Sequence, residues 1–209
     1  MPSLRLRKDS DIIIEVSTGG ISKLKIKERC APVTLPLVEC CSLNVGSTNL
    51  GGSAYINIPE DVEYCVSQLL EHHRIPEAET FEIGHTHYMS QLMKKFPFAK
   101  PVLFSIVLGH QGEAPATAKA LAAMVDFIPP EGVWGITHAH RQDFGIIAAA
   151  LDFGARTVRV GFVDSDYLDE NTRVKTNAPL VKATADLIHS MNKEVMTPDE
   201  VRKFLNISR

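Results

Sequence analysis

Six short apolar runs recur along the chain, and stretches long enough to hold helices separate them. This alternation constrains the fold more than any other feature. The runs occupy residues 11–17, 38–43, 79–83, 101–108, 133–137 and 157–162. Apolar residues at helical spacing mark 59–73, 85–95, 117–128, 143–153 and 177–191, and a last short helix is expected at 198–205. Pro59 with Glu60 and Asp61 suits a first helical turn, as does the capping sequence Thr197, Pro198 and Glu200. Thr117, Asp143 and Asn177 are the expected caps of the helices that follow them. Segment 44–52 reads as a loop of small hydrogen-bonding residues. Near-continuous apolar strands joined by crossover-length stretches read as a parallel sheet covered on both faces.

Two parallel architectures fit: an open doubly wound sheet and a (β/α)8 barrel. No G-x-G-x-x-G pattern follows the first run, which disfavours the nucleotide-binding version of the former. Polar side chains stand on or after nearly every run, at Ser17, Ser42, Glu79, His110, His138 and Asp164. One rim fed by many strands is the barrel arrangement. The expected fold is therefore α/β of the (β/α)8 TIM-barrel type, in a single domain over 1–209. A full barrel takes roughly 250 residues, about 30 per βα unit, so about six units are expected here, about two fewer than a full barrel.

Composition narrows the function classes. The 209 residues carry a net charge of −3, without a basic stripe, which disfavours nucleic acid as partner. No apolar run approaches the ~20 residues of a membrane span. The N-terminus is charged and lacks a signal-peptide core. Four cysteines without C-x-x-C spacing suit a reduced, cytoplasmic chain.

Candidate site residues follow from what burial costs. Arg159 lies inside an apolar run and Asp164 follows it, so the guanidinium needs a carboxylate or a ligand. A structural ion pair meets the same need. Period-two alternation in 79–83 would put Glu79, Phe81 and Ile83 on one face, and a carboxylate there is unusual without a role. After Ser17, the turn at Gly19 and Gly20 lets backbone N–H groups face a ligand. Two H-x-H patterns, His85/His87 and His138/His140, could offer metal donors if each lay on a strand. His85 and His87 fall at a helix start, where i and i+2 diverge.

These residues sit in segments that resemble the β-keto acid cleavage enzymes, also called 3-keto-5-aminohexanoate cleavage enzymes. The likeness rests on VSTGG at 16–20, SLNVGSTNLG at 42–51, ETFEIG at 79–84, VLG at 107–109, APAT at 114–117 and RVGFVDSDYL at 159–168. The resemblance implies a zinc-dependent (β/α)8 barrel. Such an enzyme moves the acetyl-bearing part of a small β-keto acid to acetyl-CoA, giving acetoacetate and a CoA ester. By that likeness Ser17, Gly20 and Ser42 hold the substrate carboxylate, and Glu79 faces the distal group. Arg159 and Asp164 assist carbanion chemistry. The family's zinc ligands are an H-x-H pair in the N-terminal part with no counterpart here, and a glutamate where this chain has Val163. Weak replacements are His138 and His140. An alternative reading is a non-catalytic, truncated barrel that has lost its zinc site. Either reading leaves open sheet edges, so a homo-oligomer is expected.

Overall fold

The computed structural model describes residues 9–19, 24–50 and 52–207. The elements in order are β1 (Glu15–Val16), α1 (Ile26–Arg29), a 3-10 turn (Ala31–Thr34), β2 (Cys40–Asn44), β3 (Thr48–Leu50), β4 (Ser53–Tyr55) and α2 (Pro59–Glu71). Then come β5 (Ile75–Thr80), α3 (Ile83–Lys95), β6 (Val102–Leu108), α4 (Ala118–Val125), β7 (Gly132–His138), α5 (Gly145–Asp152) and β8 (Thr157–Arg159). The chain ends with β9 (Tyr167–Asp169), β10 (Thr172–Arg173), α6 (Ala178–Ser190) and α7 (Pro198–Phe204).

Six strands form one parallel sheet in the order β1-β2-β5-β6-β7-β8. Each new strand of this sheet joins beside the one before it, and the β3–β4 and β9–β10 pairs stand apart from it. The order never reverses, as it must at the switch point of a doubly wound sheet. β1 and β8 do not pair, so among the described residues the sheet is open. It is also curled. Strands three apart in a flat sheet lie about 14 Å apart, and strands five apart about 24 Å. Yet Arg159 on β8 bonds Glu79 on β5 at 2.5 Å, and its charge also acts on Glu15 on β1. The sheet is thus an open half-barrel.

Register fixes which side chains face inward. Ser42 aligns with Glu77 and Leu103, and Asn44 with Glu79, Ser105, Gly135 and Thr157. The opposite face carries Leu43, Ala78, Phe104, Ile106, Trp134 and Ile136, all in the main apolar core. Onto that core α2 buries Val62, Cys65, Val66 and Leu69, the stripe that its helical spacing predicts. Burying each such side chain is worth about 1.5–3 kcal/mol against exposure. All four cysteines are buried and free.

The concave side is closed below by α7. Leu205 and its neighbours Val201 and Phe204 pack on Cys40 and Ile75 at the starts of β2 and β5. Arg202 then locks this helix to the sheet, donating to Glu39 at 2.6 and 3.1 Å and to Asp11 at 3.2 Å. The capping box of Thr197 and Glu200 starts α7 as expected.

Several expectations need correction. The strand expected at 79–83 is β5, four residues earlier, and Phe81 to Ile83 lead into α3 instead. Segment 44–52 folds partly as the β3–β4 hairpin, turning at Gly52 with φ of 81°. Asn177 stands at the N-cap of α6, but its side chain makes no cap bond there and accepts from Phe162 N at 3.1 Å instead. β8 ends at Arg159 rather than 162.

Gly135 sets the approach of β7 to β8. A Cβ there would lie 1.8 Å from Thr157 Oγ1 and 2.6 Å from the Thr157 carbonyl oxygen. Turning a side chain cannot relieve the second contact. Gly135→Ala is expected to lower unfolding stability by about 2–3 kcal/mol, read from the denaturant midpoint. An unchanged midpoint would mean that β8 is not held against β7 as described.

Candidate active site

The inward row at the C-terminal strand ends is polar, and one cation organises it. Arg159 donates from Nε to Asp164 Oδ2 at 3.0 Å and from Nη2 to Asp164 Oδ1 at 2.8 Å. Its Nη1 donates to Glu79 Oε1 at 2.5 Å. The guanidinium is partly open while both carboxylates are buried, with Glu79 7% and Asp164 8% exposed. Burial alone would lower the pKa of Arg159, and its bonds to Asp164 and Glu79 more than reverse this, so it stays charged.

The network runs on toward β1. Glu79 Oε2 accepts from Asn44 Nδ2 at 2.8 Å. The Ser17–Gly19 loop sits over Asn44, since a Cβ on Gly19 would lie 3.5 Å from Asn44 Nδ2. Within that loop Gly19 N donates to Ser17 Oγ at 3.0 Å. Thr18 N donates to Ser42 Oγ at 3.3 Å, and Ser42 Oγ donates to Ser17 Oγ at 3.3 Å. Ser17, Ser42, Glu79, Arg159 and Asp164 therefore meet on one concave rim. Gly20 lies outside the described residues.

Three further side chains belong to this face: Glu15, Asn44 and Glu77. None stood out among the apolar runs. Parity along the strands marks them, because Glu15 shares the parity of Ser17, Asn44 that of Ser42, and Glu77 that of Glu79. Crowding by protein, then the Glu77 carboxylate and its hydrogen bond, push the Glu15 carboxyl up; Arg159 pulls it down. Glu15 keeps an open side to solvent, which moderates the first of these. Burial likewise pushes Glu79 up, against the pull of Arg159.

Histidines border the rim. His110 stacks against Phe81 at 5.7 Å and against His140 at 5.7 Å. Burial, then the neighbouring His140, lowers the His110 pKa. His138 is half-buried with an enclosed, unpartnered Nδ1, and His140 stands exposed. His85 is tied into α3 by accepting from Phe81 N at 3.3 Å, while His87 contacts Gln91 on the surface.

The zinc that the resemblance implies needs donors these residues do not supply. Val163 offers a hydrocarbon side chain that is 91% exposed. Among the described residues no three His, Cys, Asp or Glu side chains gather to hold a metal ion. The residues present do not fit that three-ligand group.

With this geometry in place, comparison with known proteins is decisive for the family. The model of the beta-keto acid cleavage enzyme family matches residues 3–207. The chain belongs to that family. A 3-keto-5-aminohexanoate cleavage enzyme of Fusobacterium nucleatum is 33% identical over 203 residues, covering 97% of this chain and 73% of that protein. A 3-dehydrocarnitine:acetyl-CoA trimethylamine transferase of Rhizobium meliloti is 30% identical, covering 93% of this chain and 65% of that protein. Among solved structures, apo ObcA shares the fold with a TM-score of 0.76 at 16% identity, over 99% of this chain. The chain spans 53% of ObcA's length. No described helix in this family member is long and apolar enough to cross a membrane.

Raised carboxyls give a sign to the pH dependence. A folded-state pKa above the unfolded value adds stability that is fully present below the unfolded pKa and lost as pH rises through the folded one. Glu15→Gln should therefore lose less stability than the wild type between about pH 5 and pH 8. Denaturant melts across that range check it, and parallel curves for the two proteins would refute the shared carboxyl environment.

Proposed function

We propose that this chain carries substrate-binding and proton-handling parts of an acetyl-CoA-dependent β-keto acid cleavage that yields acetoacetate and a CoA ester. The observation that carries the reading is the Arg159 clamp. Two parallel bonds hold one carboxylate, Asp164, in a fixed plane at the rim. A carboxylate so held is placed to take a proton from carbon next to a keto group, and the guanidinium beside it offsets the charge that develops.

Ser17, Ser42 and Gly20 hold the substrate carboxylate in this reading, and Ser17 Oγ, which accepts from Gly19 N and Ser42 Oγ, keeps its own hydrogen to donate. Such neutral donors suit a face that is already rich in carboxylates. Glu79 faces the distal group in this reading. Each of its oxygens accepts one bond from the protein, which leaves a lone pair on each for a ligand donor. The relative from Rhizobium meliloti uses acetyl-CoA by name, which supports that co-substrate. The described residues offer no ligand set that fits zinc.

A non-catalytic barrel that binds a small acid is the second reading, and the exposed hydrocarbon of Val163 favours it. The proposal extends to self-association in the cytoplasm. A cleft of about 790 Å3 runs beside the β8 edge. Its lining includes the exposed Val181, Val195 and Met196, a patch that a second copy would cover.

Incubating purified protein with a β-keto acid and acetyl-CoA tests the chemistry. Acetoacetate should form, and Asp164→Asn, which keeps the side chain's shape, should cut the rate at least about 100-fold. No acetoacetate from the wild type would support the second reading. Sedimentation velocity should give a species larger than 23.0 kDa. A lone monomer at every concentration would sink self-association.

A further inference from the structure

Arg141 is buried as deeply as the apolar core, at 2% exposed. It stands three residues past His138, the last paired residue of β7. Its backbone is held there. Ser165 Oγ donates to the Arg141 carbonyl oxygen, and His140 N beside it donates to Asp164 O at 2.8 Å. The terminal nitrogens of the side chain have no such bonds. Nη1 and Nη2 are both enclosed, and neither has a hydrogen-bond partner. Four N–H groups of a cation are thus withdrawn from water with nothing to accept them, which is costly unless an anion meets them.

The residues around Arg141 do not meet that need. Its Cζ lies 4.1 Å from the centroid of the Phe144 ring. A ring face attracts a cation but accepts only a weak hydrogen bond. Burial lowers the Arg141 pKa, and the pull of Asp143 and Asp164 does not make up the loss. Both acids are engaged elsewhere. Asp143 Oδ1 accepts from Gly145 N at 2.7 Å, and Asp164 is clamped by Arg159. Two further features favour negative charge at this place. Phe144 is the N-cap of α5 and brings no capping oxygen, so the positive pole of an eight-residue helix lies beside the guanidinium. His138 has an enclosed, unpartnered Nδ1 of its own. Burial lowers the His138 pKa and the nearby Arg141 charge adds to this, yet a neutral imidazole can still donate from that nitrogen.

We propose that Arg141 and His138 form a site for a small oxyanion, a phosphate or a carboxylate, beneath the β7–α5 loop. Two parallel N–H···O bonds from the guanidinium fork suit either group. The cover is light, since Phe144 is half-buried and Gln142, Asp143 and Gly145 are exposed. The anion enters by displacing the Phe144 ring. The site uses none of Ser17, Ser42, Glu79 or Arg159, and it does not depend on the cleavage reading.

Thermal melts at constant ionic strength test it, with sodium chloride replaced stepwise by sodium phosphate or sodium acetate. Arg141→Met is apolar and of similar length. In chloride it should melt no lower than wild type, because an unpaired buried charge is gone. Phosphate stabilises folded proteins generally, so the gain that counts is that of wild type over the variant. That excess should reach at least about 2 °C with one of the two oxyanions. Arg141→Lys keeps the charge without the fork and should weaken oxyanion binding at least about tenfold in calorimetry; it decides alone if Arg141→Met does not fold. Coenzyme A as a third probe distinguishes the sources. A larger excess than with phosphate supports the site and names a nucleotide phosphate; no larger excess supports it as a site for a free anion. Equal gains by wild type and Arg141→Met overturn the site. So does a lower-melting Arg141→Met in chloride, since the Phe144 ring alone would then satisfy the guanidinium.

Discussion

Among the described residues, the Arg159 guanidinium is the cation that bonds the buried Glu79 and Asp164 carboxylates of the concave face. Glu15, Glu77, Glu79 and Asp164 all lie on or beside that face, and Arg159 contacts two of them directly. Carboxylates withdrawn from water repel one another and resist ionisation. Without Arg159, both Glu79 and Asp164 would be left buried and unpaired, a loss of about 3–5 kcal/mol where enclosure is complete. The curl of the sheet and this pairing are therefore one fact seen from two sides. The guanidinium reaches across β6 and β7 only because the sheet bends, and the bend brings together acids that need the guanidinium.

The sheet's other face obeys different physics. Leu43, Ala78, Phe104, Ile106 and Ile136 meet the helices there in an apolar core. Each strand thus alternates between a greasy exterior layer and a polar lumen. The arrangement leaves the rim free to carry chemistry while the helices carry stability. Gly135 and Thr157 show how tightly the two roles are fitted, since the lumen between β7 and β8 has no room for one methyl group.

Much of the outer layer was legible in the sequence, and less of the lumen. The stripe on α2, the cap at Thr117 and the capping box at Thr197 are local signals, and they hold. β5 was misplaced because Pro76 and two glutamates interrupt it, and a proline argues against a central strand. A polar lumen makes alternation run opposite to the usual pattern, so a strand with inward acids reads as a loop. Asn177 stands at its expected N-cap position, but its carboxamide serves a backbone donor fifteen residues away, which no local pattern records. The Arg159–Asp164 pair was readable because its partners are close in sequence. Its bond to Glu79, 80 residues distant, was not.

Arg202 carries a consequence for the order in which the molecule is made. It bonds Glu39 across 163 residues and Asp11 across 191. A ribosome must therefore finish α7 before the underside of the sheet is sealed. Until then Cys40 and Ile75 lack their apolar cover, and the half-built chain offers that surface to chaperones and to aggregation alike.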